Sequence, residues 1–273
     1  MHPTLFGALA IFCYVAATAA LIQSLHTDYL AAPVSTQQRL KILGLGWLAA
    51  IVHGASLAGT RDGAGNVDFS FLSASSLASL SIVAILLIVS ATRPVDKLGV
   101  IVFPMASLII LLKMVVPEGS HVLKTHSWEM DLHIVTSMLA YSFLNIAALQ
   151  AVLVAFQDWR LRTHHTSRFV RSLPPLQTME SLLFQLIGAG FVLLSLSLLS
   201  GFIFLKDLFA QHLAHKTVLS ILAWVVFAVL LGGRARQGWR GQIAIRWTLG
   251  GFVSLMLAYF GSKMVLEWIL KKT

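Results

Sequence analysis

The chain has 273 residues, 57% of them hydrophobic and 11% charged, where an ordinary soluble domain carries about a quarter charged; its mean hydropathy is +0.81. That composition excludes the soluble globular classes and leaves an all-α, polytopic membrane bundle. The formal net charge of +9 does not indicate nucleic acid, because the basic residues lie in short connections between apolar spans, where topology selection puts them.

Eight apolar segments follow in chain order, at about 5–24, 40–59, 69–91, 98–116, 130–156, 182–204, 216–231 and 244–268. They predict about eight transmembrane helices in a single domain covering residues 1–273. The seventh falls short of the roughly 20 residues a spanning helix needs, so tilt or flanking residues must complete it. No Lys or Arg precedes the first segment, which is therefore expected to stay as a helix rather than leave as a signal peptide. It holds Cys13, the only cysteine, so no internal disulfide can form and thiolate chemistry has little support.

Orientation follows from positive charge in alternate connections. With the N-terminus outside, the inner connections hold Arg39, Lys41, Arg93, Lys97, Arg160, Arg162, Arg168, Arg171, Arg234, Arg236, Arg240 and Arg246, twelve of the twenty lysines and arginines. Eight of those twelve fall in two stretches, 158–173 and 232–246. An N-out/C-out arrangement is expected. His53, His121, His126, His133, His212 and His215 then gather toward the outer face, six of the ten histidines, while His164 and His165 fall in the basic inner connection.

In the second span, Gly46, Ala50 and Gly54 recur at four-residue spacing, a small-residue face that lets a neighbouring backbone come close. His53 borders that face and is expected to point into the bundle. The stretch 59–69 (GTRDGAGNVDF) reads as an outer loop, and 117–129 (PEGSHVLKTHSWE) as a segment lying on the membrane surface. The fifth span carries a polar strip of His133, Ser137, Tyr141 and Asn145, each about 40° further around the helix than the last. Such a strip is costly against lipid and should face other helices or a ligand.

Hydrolytic and transfer chemistries find no motif: no phosphate-binding glycine loop ending in Lys-Ser/Thr, no HExxH and no paired cysteines. The acids lie in loops or near span ends, as Glu180 and Glu267 do, so no buried carboxylate chain points to a proton-coupled transporter. What remains is imidazole near one face among apolar and aromatic residues, the combination haem requires. His133 and His215 are the best-placed pair to ligate iron, and His53, one or two turns deeper, is a third cofactor-binding candidate. Lys124, Lys206 and Lys216 are candidate partners for propionates. Plain packing explanations stand beside these: an interhelical hydrogen bond for His133, an interfacial helix start for His215, and an aromatic belt for Trp128, Trp224, Trp239, Trp247 and Trp268.

Three blocks, LHIVTSMLAYSFLNIAALQAV (132–152), LPPLQTMESLLFQLIGAGFVLLSLSLLSGFIF (173–204) and HKTVLSILAWVVFAVLLGGRARQGWRGQIAIRWTLGGFVSLMLAYFGSK (215–263), resemble the cytochrome c assembly membrane protein family. That family includes CcsA, CcmC and HemX-like proteins, and the likeness is strongest to its short, eight-span YpjD-like branch. The assembly-like core would cover about 40–268. The resemblance implies that His133, in the pattern His133, Ser137, Leu139, Tyr141, corresponds to an external haem-ligand histidine. It gives a structural role to Gly238, Trp239, Arg240, Gly241 and to Tyr259, Phe260, Gly261. The haem-delivering members carry a tryptophan-rich external segment of the type WGxxWxWD before the seventh span, where this chain reads FLKDLFAQHLAHKTV. No counterpart of the family's second external histidine lies between the last span and Thr273; His215 stands where it could replace that ligand.

Two functions are expected from these features. The first is a haem-binding or haem-handling protein of the bacterial inner membrane, with haem as cofactor and no independent catalytic activity, working beside other membrane or cytochrome-assembly proteins. The alternative is a non-catalytic regulatory or accessory subunit acting on a partner enzyme or ion transporter, with the basic stretch 158–173 as its docking surface.

Overall fold

The computed structural model describes residues 3–27, 36–59, 70–116, 128–163, 168–171, 173–204 and 214–261. Among them the regular structure is helical, with no strand. Among the described residues, seven helices are long and apolar enough to cross a bilayer. The eighth expected span is helical over Gln242–Met256 and continues without a break as a π-turn over Leu257–Gly261; the remainder of that segment lies outside the described residues. Packing divides the chain into two compact units, residues 1–124 with 166–174, and residues 125–165 with 175–273.

The first unit contains α1 (Pro3–Thr27), α2 (Thr36–Ala58), α3 (Phe71–Thr92), a 3-10 turn (Asp96–Leu98), α4 (Gly99–Val115) and the short α6 (Arg168–Arg171). Helix α1 packs on α2 and α4, and α3 on α2 and α4. Tyr14, Ala17, Ala49, Leu86 and Phe103 are buried between them, while Leu5, Phe12 and Ile51 stand exposed, as residues facing lipid should. The small-residue face of α2 is a contact surface at Gly46, where a Cβ would come within 2.9 Å of Leu87 and 3.2 Å of Phe103. At one end Arg39 of α2 donates through Nη2 to the Ser90 carbonyl at 2.6 Å and pairs with Asp96 at 3.5 Å. It thus meets carbonyls that the last turn of α3 leaves without intrahelical partners.

The second unit contains α5 (Trp128–Arg162), α7 (Leu176–Phe204), α8 (Ala214–Gln237) and α9 (Gln242–Met256) with its π-turn. The pair α5 and α7 forms its most extensive contact. They approach closely because Gly190 has no side chain: a Cβ there would lie 2.7 Å from Leu144. Helix α5 has 35 residues, about 50 Å of helix, more than the roughly 30 Å hydrocarbon layer needs. Its excess carries Arg160 and Arg162 on a helix, where the sequence suggested a loop. Likewise Arg234 and Arg236 end α8, and Arg246 lies within α9. Arginine is a good helix former, and cations are favoured at helix C-termini, so the basic ends extend the helices instead of terminating them. Helix α8, the span judged short, gains its missing length in this way.

The turn between α8 and α9 is Gly238-Trp239-Arg240-Gly241. Both glycines have positive φ, +68° and +60°, and at Gly241 ψ is −132°, a region open essentially to glycine alone. The Trp239 ring packs over Gly233 and lies 5.5 Å from Trp247. Arg234 Nη1 donates to the Trp239 carbonyl at 3.1 Å, and the Gly241 N–H donates to Glu180 of α7 at 2.8 Å. Trp224 departs from the expected aromatic belt. It sits midway along α8, stacked on Phe191 at 5.5 Å, and donates its indole N–H to Ser195 at 2.8 Å, because a buried indole N–H needs an acceptor.

Candidate functional site

His133 lies in the second turn of α5, half-buried against α7. Its Nδ1 is 3.0 Å from the Ser197 carbonyl oxygen and 3.1 Å from Ser200 Oγ. A carbonyl can only accept, so Nδ1 carries the proton and the neutral ring keeps its lone pair on Nε2. No partner for Nε2 occurs among the described residues. Ser137 donates to the His133 carbonyl, and its hydroxyl meets Ser197 Oγ at 2.9 Å. Ser200 also donates to the Ser197 carbonyl at 2.9 Å. Toward the start of α5, Trp128 meets Phe204 edge-on at 5.7 Å, adding an aromatic wall one to two turns from the imidazole.

The polar strip of α5 faces other helices, as expected, but two different ones. His133 and Ser137 turn to α7, whereas Tyr141 stacks on Tyr259 of the π-turn at 5.3 Å and approaches Phe252 of α9 at 6.2 Å. Asn145 hydrogen-bonds Tyr141. The drift of about 40° at each four-residue step carries the strip from one neighbour to the next.

His53, in the first unit, is 1% exposed. Its Nδ1 is 3.3 Å from Tyr14 Oη, and its Nε2 is 2.9 Å from Ser76 Oγ. The Tyr14 ring meets it edge-on at 5.9 Å and stacks on Phe103 at 5.8 Å. Both nitrogens are therefore engaged, one donating and one accepting, and either hydroxyl can take either part. His215 lies in the first turn of α8, in the same compact unit as His133. Lys216 follows it, half-buried. His121, His126, His164, His165, His212, Lys124 and Lys206 lie outside the described residues, as do most of the segments 59–69 and 117–129.

The donor set at His133 fits an iron porphyrin: a neutral imidazole of fixed tautomer, its second nitrogen held by a carbonyl, is the form in which histidine ligates a metal. A bare metal ion is less well served, since no three His, Cys, Asp or Glu side chains gather among the described residues. Sequence reasoning missed Tyr14, Ser76, Ser197 and Ser200. The only signal for the last two was hydroxyl residues recurring at 195, 197 and 200 in an apolar span.

Helices that can cross a membrane, with arginines near their ends and interhelical histidines, define a polytopic integral membrane protein. A family model described as "Cytochrome C assembly protein" matches residues 42–270. The inner membrane protein YpjD of Escherichia coli (strain K12) is 36% identical over 210 residues, 76% of this chain and 79% of that protein. A 28.8 kDa protein of Azospirillum brasilense is 33% identical over 142 residues, 51% of this chain and 52% of that one. The cytochrome c biogenesis protein CcsA of Chlamydomonas reinhardtii is 25% identical over 145 residues, 52% of this chain and 39% of that one. No solved structure matches. The chain belongs to the cytochrome c assembly protein family, and its place is the bacterial inner membrane.

Proposed function

We propose that this protein binds haem within the membrane as a handling protein of the cytochrome c assembly type, with His133 Nε2 as the atom that would hold the iron. The observation that supports this most directly is the hydrogen bond from His133 Nδ1 to the Ser197 carbonyl at 3.0 Å. It orients the ring, fixes the tautomer and raises the basicity of the other nitrogen. His215, in the first turn of α8, is the proposed second ligand, and Lys216 beside it a propionate partner. Bound haem would supply the iron centre; the chain's residues hold it, exclude water from it and set the ligand's protonation. His53 would have to release Tyr14 or Ser76 before ligating, so it ranks after His133 and His215 as a proposed cofactor-binding residue.

The distribution of basic residues supports an N-out/C-out topology, which sets His133 at the outer end of α5. The stretch 204–218 reads FLKDLFAQHLAHKTV and lacks tryptophan, which favours holding haem over delivering it to an apocytochrome. The test is a titration of the detergent-purified chain with haemin. A shifted Soret band is expected, absent or at least about 100-fold weaker in His133→Ala, since even residues that only support a metal ligand are worth 10–100-fold. An identical spectrum from the variant would overturn the assignment.

A further inference from the structure

The end of the second unit away from His133 collects six arginines: Arg160 and Arg162 at the close of α5, Arg234 and Arg236 at the close of α8, Arg240 in the turn, and Arg246 on α9. The carboxylates that bond there among the described residues are already committed. Asp158 accepts from Arg162 at 3.1 Å and from Gln242 at 2.8 Å, and Glu180 accepts from the Gly241 N–H at 2.8 Å. Arg234 is used within the turn, stacked over Phe184 at 4.7 Å. Arg236, Arg240 and Arg246 are exposed and have no hydrogen-bond or ion-pair partner among the described residues. Arg160 is a further, independent sign. Its guanidinium lies over Trp159 at 4.9 Å and Phe156 at 5.3 Å, and its Nε is buried without an acceptor, which is costly for a charged donor.

The frame carrying these cations is tied together by side-chain contacts. Gln242 is fastened to Asp158, and Arg246, four residues on, shares its face of α9, so it lies along the seam with α5. The turn holding Arg240 is locked by two positive-φ glycines and by Glu180. Trp159 is 54% exposed at the end of α5, and Trp239 of the turn packs on Trp247 of α9; indole rings sit at headgroup depth in a bilayer. Exposed guanidiniums with no carboxylate partner among the described residues match a phosphodiester at that depth, which takes two parallel N–H bonds from arginine.

We propose that the α8–α9 turn, together with the end of α5, binds the headgroup of an anionic phospholipid, with Arg236, Arg240 and Arg246 contacting its phosphate. The site is independent of haem. The test uses the full chain in detergent, examined by native mass spectrometry with phosphatidylglycerol or phosphatidylcholine of the same acyl chains, and separately with inorganic phosphate. Phosphatidylglycerol should be retained over phosphatidylcholine. The preference should fall about five-fold for each arginine neutralised in Arg240→Gln and Arg240→Gln/Arg246→Gln, while Lys41→Gln, an exposed basic site in the first unit, leaves it unchanged. The haemin Soret shift in the same variants reports folding and should not change. Equal retention of both lipids, a preference unaltered in the double variant, full displacement by millimolar inorganic phosphate, or an acidic protein that displaces the lipid would each overturn the proposal.

Discussion

His53 and His133 are the same side chain placed in an apolar interior by two different solutions. In the first unit, His53 is closed on both nitrogens by hydroxyls from α1 and α3, and it is only 1% exposed. In the second, His133 is closed on one nitrogen by a backbone carbonyl of α7 and half-exposed. A hydroxyl leaves the tautomer undetermined and fills the ring's remaining capacity; a carbonyl determines the tautomer and leaves a lone pair. The first arrangement suits a group whose work is to hold helices together, the second a group that accepts a ligand.

The comparison is broken most forcefully by deleting each imidazole. For His133→Ala the expected loss is at least about 100-fold in haemin affinity, with unfolding in detergent changed by only about 1 kcal/mol, because the ring is partly exposed and Ser200 remains to satisfy α7. For His53→Ala the expectation is inverted. Thermal unfolding in detergent should show a loss of about 3 kcal/mol from a buried cavity and two orphaned hydroxyls, while haemin affinity in the folded fraction stays within about threefold. If the two variants exchanged these phenotypes, the division of roles would be wrong.

Much of this architecture was visible in the chain before any coordinates, for a definite reason: a membrane helix must satisfy its own backbone and present apolar side chains all round, so length and hydropathy alone mark it. The placement of Arg160, Arg162, Arg234 and Arg236 on helices escaped that reading, since hydropathy falls where a helix leaves the hydrocarbon while its hydrogen bonds continue. The strip on α5 was legible from its spacing. Its partners were not. Ser195, Ser197 and Ser200 look alike in sequence, yet Ser195 takes up an indole N–H and Ser197 offers α5 its carbonyl. Tyr14, 39 residues from His53, carries no local mark of its contact, and the central position of Trp224 in its span was a signal passed over.

A smaller effect sharpens the account of His53. Tyr14→Phe and Ser76→Ala each remove one hydroxyl from a buried bond and should each cost about 0.6–1 kcal/mol in unfolding free energy. Because the ring has a single proton to share between two partners, the role of one hydroxyl depends on the other. The double variant should depart from additivity by about 0.5 kcal/mol or more. Strict additivity would mean that the two bonds are independent contacts and that the ring does not couple α1 to α3.

The smallest expected effect discriminates between the carbonyl and the hydroxyl at His133. Ser200 Oγ lies 3.1 Å from Nδ1 but donates its own proton to the Ser197 carbonyl at 2.9 Å, so toward the imidazole it can only share, as a second acceptor, a proton the carbonyl already receives at 3.0 Å. Ser200→Ala therefore leaves the tautomer fixed and also relieves the carbonyl of a competing donor. Haemin affinity in this variant should stay within about threefold of the parent, since the supporting bond that matters is retained. A loss approaching that of His133→Ala would transfer the orienting role from the backbone to the hydroxyl. The ligand geometry would then depend on a replaceable side chain, and the contrast with the hydroxyl-bound His53 would lose its basis.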